Sequence, residues 1–137
     1  MTGGIVFDAE PLLAYLDDEP GSDTVGGWID RVASGEVDGY VSPITKTEVL
    51  YVGSRIGFPR EAVRASLVRL EELGVTVPDP TPCWGAAADL KREYGMALGD
   101  AYALATAEQV SGTLLVGADD DFDPLENAVE RFRTEPV

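Results

Sequence analysis

The sequence predicts an α/β fold in three layers, helix on sheet on helix, with a mainly parallel central sheet of about four to five strands. Two patterns point there. Segments with strand character alternate with segments whose apolar residues recur at helical spacing. The strand-like segments, such as Ile5-Val6-Phe7 and Leu114-Leu115-Val116, are continuous apolar runs, as expected of strands covered on both faces. Length adds a third: 137 residues, 45% of them hydrophobic and spread along the whole chain, suit one packed domain over 1–137. No internal repeat, low-complexity tract or linker interrupts it.

Gly4–Asp8 reads as the first strand, an apolar run bounded by glycine and a charge. Pro11 favours the first turn of a helix carrying Leu12, Leu13, Tyr15 and Leu16, which the acidic stretch Asp17–Gly21 ends. Val25, Trp28, Ile29 and Val32 predict a second helix over Asp23–Ser34. Gly39–Ser42 reads as a strand, and Pro43 as the opening of a helix over Ile44–Ile56 that Gly57 and Pro59 close. Val63, Leu67 and Leu70 share one face of a helix over Pro59–Leu73. The β-branched run Val75-Thr76-Val77 predicts a short strand, closed by Pro78, Pro80 and Pro82. Helices over Trp84–Tyr94 and Leu98–Val110 follow, separated by a break at Gly95. Thr113–Val116 reads as a buried strand that runs into the acidic stretch Gly117–Asp123, and Val129–Phe132 as a last short strand.

Composition removes whole classes of chemistry. The chain has no histidine, which excludes Ser-His-Asp and Cys-His catalysis and His-ligated metals. Cys83 is the only cysteine, so neither an intrachain disulfide nor a cysteine-based zinc site can form. No apolar run approaches the roughly 18–20 residues of a bilayer span. The chain does not open on a basic segment followed by a long apolar core, so a cytoplasmic location is expected.

Twenty-five Asp and Glu against ten Lys and Arg give a net charge of −15, and Lys46 and Lys91 are the only lysines. Such a surface suits a cytoplasm at molar salt, where screening falls to about 3 Å and self-repulsion fades. A halophilic source is therefore expected, and the charge then says little about the ligand.

Most of these acids suit a solvated surface. Four stand elsewhere. Asp8 follows the buried run Ile5-Val6-Phe7 at the carboxyl end of the first strand. Glu48 lies on the helix after the second strand, just before Val49-Leu50. Asp100 is set in the small and apolar stretch Met96–Ala105. Asp119 comes three residues after the strand Thr113–Val116, at the same end of a parallel sheet as Asp8. Each has a plainer reading: Asp8 and Asp100 also suit helix caps, Glu48 an exposed helix face, and Asp119 an acidic turn. A divalent cation explains all four at once, because carboxylates in apolar surroundings are costly until something neutralises them. Hard ions such as Mg²⁺ take oxygen ligands from separate segments, and can activate water against a phosphodiester.

The order and surroundings of these acids resemble the PIN-domain nucleases, most closely the VapC-type toxins of toxin–antitoxin pairs. The resemblance is carried by Ile5-Val6-Phe7-Asp8-Ala9-Glu10-Pro11-Leu12-Leu13 and by Val41-Ser42-Pro43-Ile44-Thr45-Lys46-Thr47-Glu48-Val49-Leu50-Tyr51. It continues through Leu98-Gly99-Asp100-Ala101-Tyr102-Ala103-Leu104-Ala105-Thr106-Ala107 and Leu114-Leu115-Val116-Gly117-Ala118-Asp119-Asp120-Asp121-Phe122, spanning nearly the whole chain. It implies a PIN-like three-layer fold and metal-dependent endonucleolytic cleavage of RNA. Asp8, Glu48, Asp100 and Asp119 would be the catalytic cluster holding Mg²⁺ or Mn²⁺, with Asp121 as a supporting metal ligand. Two positions depart from the pattern. Glu10 stands where relatives commonly have Ser or Thr, and so does Gly117, two residues before the fourth acid.

An RNA substrate needs cations on this acidic chain, and Lys46, Arg55, Arg60 and Arg64, on the helices flanking Glu48, are the candidates for phosphate contacts. Pairing with nearby acids such as Glu61 is their plainer role. The resemblance further implies a small antitoxin protein seated near the site, and a homodimer. Three rivals are distinguishable. A non-catalytic PIN-like module that binds RNA or protein would bind metal weakly. A phosphotransferase with Asp8 as nucleophile would form an aspartyl-phosphate. A small-molecule binding domain finds no Gly-rich phosphate loop in support.

Overall fold

The computed structural model describes residues 3–136. Its centre is a four-stranded sheet in the order β2-β1-β3-β4, built from β1 (Ile5–Phe7), β2 (Gly39–Tyr40), β3 (Thr113–Val116) and β4 (Val129–Arg131). All three pairings are parallel: Ile5 lies against Gly39 and Thr113, Phe7 against Leu115, and Val116 against Arg131. Parallel neighbours require crossovers. Helices α1 (Ala9–Leu16) and α2 (Ser22–Ala33) join β1 to β2. The chain then runs through α3 (Pro43–Arg55), α4 (Arg60–Leu73), α5 (Trp84–Tyr94) and α6 (Leu98–Gln109) to β3. A kinked 3₁₀ segment, Asp120–Ala128, makes the last crossover to β4.

Side chains along a strand alternate between faces, and that alternation divides the core. Ile5 and Phe7 of β1 and Leu115 of β3 pack with Leu12, Val25, Ile29, Val49, Val63 and Leu67 from α1 to α4. Val6, Leu114 and Val116 point the other way and pack with Ala87 and Leu90 of α5 and Ala101 and Leu104 of α6. Both faces are thus covered, which is why these strands read as unbroken apolar runs. The expected three-layer arrangement with a mainly parallel sheet is what the chain adopts.

Helix limits fall where local chemistry predicts. Ser42 caps α3, its hydroxyl accepting from the Ile44 N–H at 3.2 Å, with Pro43 in the first turn. Gly95 closes α5 in the left-handed conformation, which is the expected break. One element falls short. The strand expected at Val75–Val77 is reduced to a parallel bridge between Thr76 and Tyr40, held by Val41 N–H to Thr76 O and Thr76 N–H to Gly39 O, each 2.9 Å. Pro78 and Pro80 have no N–H to continue the ladder. Among the described residues, no helix is long and apolar enough to cross a membrane.

Candidate active site

The carboxyl ends of the parallel strands assemble the acids. Asp8 is the residue after β1, and its N–H bonds across the sheet to Leu115 O at 3.1 Å. It holds the N-cap position of α1, yet its side chain makes no capping hydrogen bond. Asp8 is 4% exposed, and its Oδ1 is buried without a partner. Asp100 lies in the first turn of α6, whose N-cap is Ala97, so it is not a cap either. Asp8 thus stands at a cap position without capping through its side chain, and Asp100 is no cap. Asp119 precedes the 3₁₀ segment, where its Oδ1 accepts from the Asp121 N–H at 2.9 Å and leaves its second oxygen free of that turn. Glu48 projects from the half-buried side of α3, and its Oε1 lies 2.5 Å from where a Cβ on Gly99 would sit. A glycine at 99 is what lets α6 approach that carboxylate.

Asp100 is the hub of the cluster. Carboxylate oxygens of Asp100, Asp119 and Asp121 lie within 4.8 Å of one another. On its other side Asp100 adjoins Asp8, so that each carboxyl feels the other, and Glu48 presses its negative charge on both. Burial first, then the charges of Glu48 and Asp119, push the Asp100 carboxyl up to about 6. Asp8 is held well above the usual carboxylate range, by burial first and by Asp100 second. Burial raises Glu48, and the neighbouring Asp119 charge raises the exposed Asp121. Among the described residues, every ion pair goes to other acids, and none of these five is paired with a lysine or arginine.

The donor set suits one kind of guest. Carboxylate oxygens alone, no sulfur or imidazole, and a buried Oδ1 with no partner fit a hard divalent cation, whose charge would satisfy that oxygen and allow both Asp8 and Asp100 to ionise.

The two positions that depart from the expected pattern meet in space. The Glu10 carboxylate occupies the place where a side chain on Gly117 would project. Arg133 holds it there, donating to Glu10 Oε2, to Glu19 Oε1 and to Pro20 O, each at 3.0 Å. Sequence reasoning passed over this arginine, and also Arg131, whose guanidinium grips the loop bearing Asp119. The available signal was two arginines flanking Phe132 in a chain poor in cations.

Of the basic residues expected to meet phosphate, Lys46 and Arg64 are brought together in a groove between α3 and α4. Lys46 donates to Glu71 at 2.6 Å and Arg60 to Glu61 at 2.8 Å, so both are engaged by acids. Arg55 lies over the Tyr51 ring, 5.7 Å from its centroid, at the end of α3.

A family model described as "PIN domain" matches residues 5–127. No curated protein matches the chain. Among solved structures it is similar to a chain of VapBC2 from Rickettsia felis bound to a DNA fragment from their promoter. The TM-score there is 0.71 at 16% identity, covering 93% of this chain and 97% of that one. A chain of a toxin–antitoxin complex from Klebsiella pneumoniae gives a TM-score of 0.66 at 21% identity, covering 92% and 96%. One of FitAcB from Neisseria gonorrhoeae gives 0.58 at 23% identity, covering 93% and 96%.

Proposed function

The chain belongs to the PIN domain family, and from that premise we propose that it is a metal-dependent endoribonuclease, the toxin of a toxin–antitoxin pair. The observation that carries this reading is the unpaired acid cluster around Asp100, with the partnerless Oδ1 of Asp8 at its buried end. Asp8, Glu48, Asp100 and Asp119 hold Mg²⁺ or Mn²⁺, with Asp121 in support. The bound ion supplies an activated water and a counter-charge for the phosphodiester oxygen. Asp8, buried beneath the cluster, anchors it to the sheet, while the exposed Asp121 borders solvent and substrate. Lys46, Arg55, Arg60 and Arg64 draw the RNA backbone toward α3 and α4, which counters an otherwise repellent surface.

Partners follow from the apolar surface. A groove of about 690 Å³ between α1, α2 and α4, lined by Leu12, Tyr15, Leu16, Ile29, Leu67 and Leu70, suits the apolar face of an antitoxin helix. The similar chain from Klebsiella pneumoniae belongs to a toxin–antitoxin complex, which supports a partner of that kind here. Tyr51, Ile56, Trp84 and Leu98 are large and exposed, and favour contact with a second copy in a homodimer.

The test is cleavage of total and transfer RNA by the purified protein at molar KCl, with Mg²⁺, Mn²⁺ or EDTA, beside Asp100→Asn. Discrete products that require metal and vanish in the variant are expected. A folded protein that neither cuts RNA nor melts higher with metal would refute the active site and leave an RNA- or protein-binding module.

A further inference from the structure

The loop that carries Asp119 and Asp121 has little reason to stay where it is. Asp119, Asp120, Asp121 and Asp123 crowd one short stretch, and Asp100 faces it with a further charge. Mutual repulsion drives such a loop outward. Two features oppose this. Phe122, 1% exposed, is buried in the core between α5, α6 and the sheet. The other is Arg131, the last residue of β4, paired in register with Val116, whose strand ends just before Gly117.

The guanidinium of Arg131 is spread over the loop's backbone. Nη1 donates to Gly117 O at 2.6 Å and to Asp119 O at 3.0 Å. Nη2 donates to Asp123 Oδ1 at 3.0 Å, and Nε to Glu126 Oε1 at 3.0 Å. The arginine side chain is only 13% exposed, while Asp123 and Glu126 are 67% and 54% exposed. A planar fork thus pins carbonyls two residues apart, and its remaining donors go to the two acids outside the cluster. The carboxylates of Asp119 and Asp121 receive no hydrogen bond from it among the described residues, so the arginine leaves them open to a cation.

We infer that Arg131 is a positioning residue for the metal site, holding Asp119 and Asp121 at the distance from Asp100 at which all three share one ion. The inference rests on the proposed metal-dependent function. The hold joins two backbone carbonyls on Nη1 to Asp123 on Nη2 and Glu126 on Nε, so charge alone does not replace it, and the single nitrogen of a lysine does not supply the three separated donor positions.

The test is Mn²⁺ binding by titration calorimetry, without RNA, for the wild type, Arg131→Met, Arg131→Lys and the remote control Arg31→Met, alongside thermal melting in EDTA. Arg131→Met is expected to weaken Mn²⁺ at least tenfold, about 1.4 kcal/mol. Arg131→Lys is expected closer to the methionine variant than to wild type, and Arg31→Met unchanged. In cleavage assays the metal concentration for half-maximal rate should rise while the rate at saturating metal is largely retained. Should Arg131→Met not fold, the double variant Asp123→Asn/Glu126→Gln leaves the arginine in place and loosens its grip, with a smaller loss of affinity expected. Folded Arg131 variants that bind Mn²⁺ within twofold of wild type overturn the inference and leave the nuclease reading standing. A wild type that binds no Mn²⁺ overturns both.

Discussion

Replacing Asp100 with asparagine should inactivate the protein and, in the absence of metal, stabilise it. Burial and the charges of Glu48 and Asp119 raise the Asp100 carboxyl from 3.8 to about 6. A tenfold change in proton affinity is worth about 1.4 kcal/mol, so above both values the ionised side chain destabilises the metal-free fold by about 3 kcal/mol as an upper limit. Partial exposure of Asp100 lowers that figure to roughly half. Losing a carboxylate from the first turn of α6 costs about 0.5 kcal/mol in return. The net gain is about 1 kcal/mol, or a rise of about 3–5 °C in Tm for a chain of this size.

The pH dependence has a definite sign. A carboxyl raised on folding binds more protons folded than unfolded, so its contribution to stability is lost as pH rises from 3.8 through about 6 and is constant above that. The advantage of Asp100→Asn should accordingly be full at pH 7.5, about half as large near pH 5, and absent toward pH 3.5. Thermal melts in EDTA at those pH values, at fixed molar KCl, read it directly. In excess Mn²⁺ the order should reverse, because ligand binding stabilises only the protein that still has the site. A variant that melts below wild type in EDTA at pH 7.5, or a difference that ignores pH, would show that Asp100 is not the strained hub of the cluster.

Three further outcomes are expected. Gly99→Ala places a methyl 2.5 Å from Glu48 Oε1, so the flexible carboxylate must shift; stability in EDTA should hold or rise by about 0.5–1 kcal/mol while Mn²⁺ affinity falls, as melting and calorimetry would record. Binding of Mn²⁺ should release protons from Asp8 and Asp100, with affinity rising as pH increases through about 6, which calorimetry in buffers of different ionisation heat detects. A net charge of −15 predicts a Tm that climbs with KCl toward molar concentration; a melting curve indifferent to salt would remove the halophilic expectation.

Much of this protein was written in local pattern. Ile5-Val6-Phe7 and Leu114-Leu115-Val116 announce strands buried on both faces because a doubly covered sheet leaves no polar face to alternate with. Ser42-Pro43 and Gly95 mark helix ends because capping and left-handed backbone are properties of single residues. Asp8, Glu48, Asp100 and Asp119 stand out because a charge beside an apolar run is locally anomalous. What the chain does between distant residues was not legible. Val75–Val77 has the composition of a strand, but how many ladder bonds it makes depends on the prolines after it and the edge it meets. That Asp100 is the hub, that Glu48 lies over Gly99, and that Glu10 fills the space above Gly117 are decided by the crossing of helices over the sheet. Arg131 and Arg133 look like two more surface cations in sequence. Only the parallel register of β4 against β3, which sets Arg131 beside Val116 at the mouth of the acidic loop, turns the first into a clamp. Propensity and pattern act within a few residues, and they determined the elements and flagged the acids. Electrostatic coupling and hydrogen bonding act over a few ångströms in space, and the tertiary fold alone determines which residues those ångströms separate.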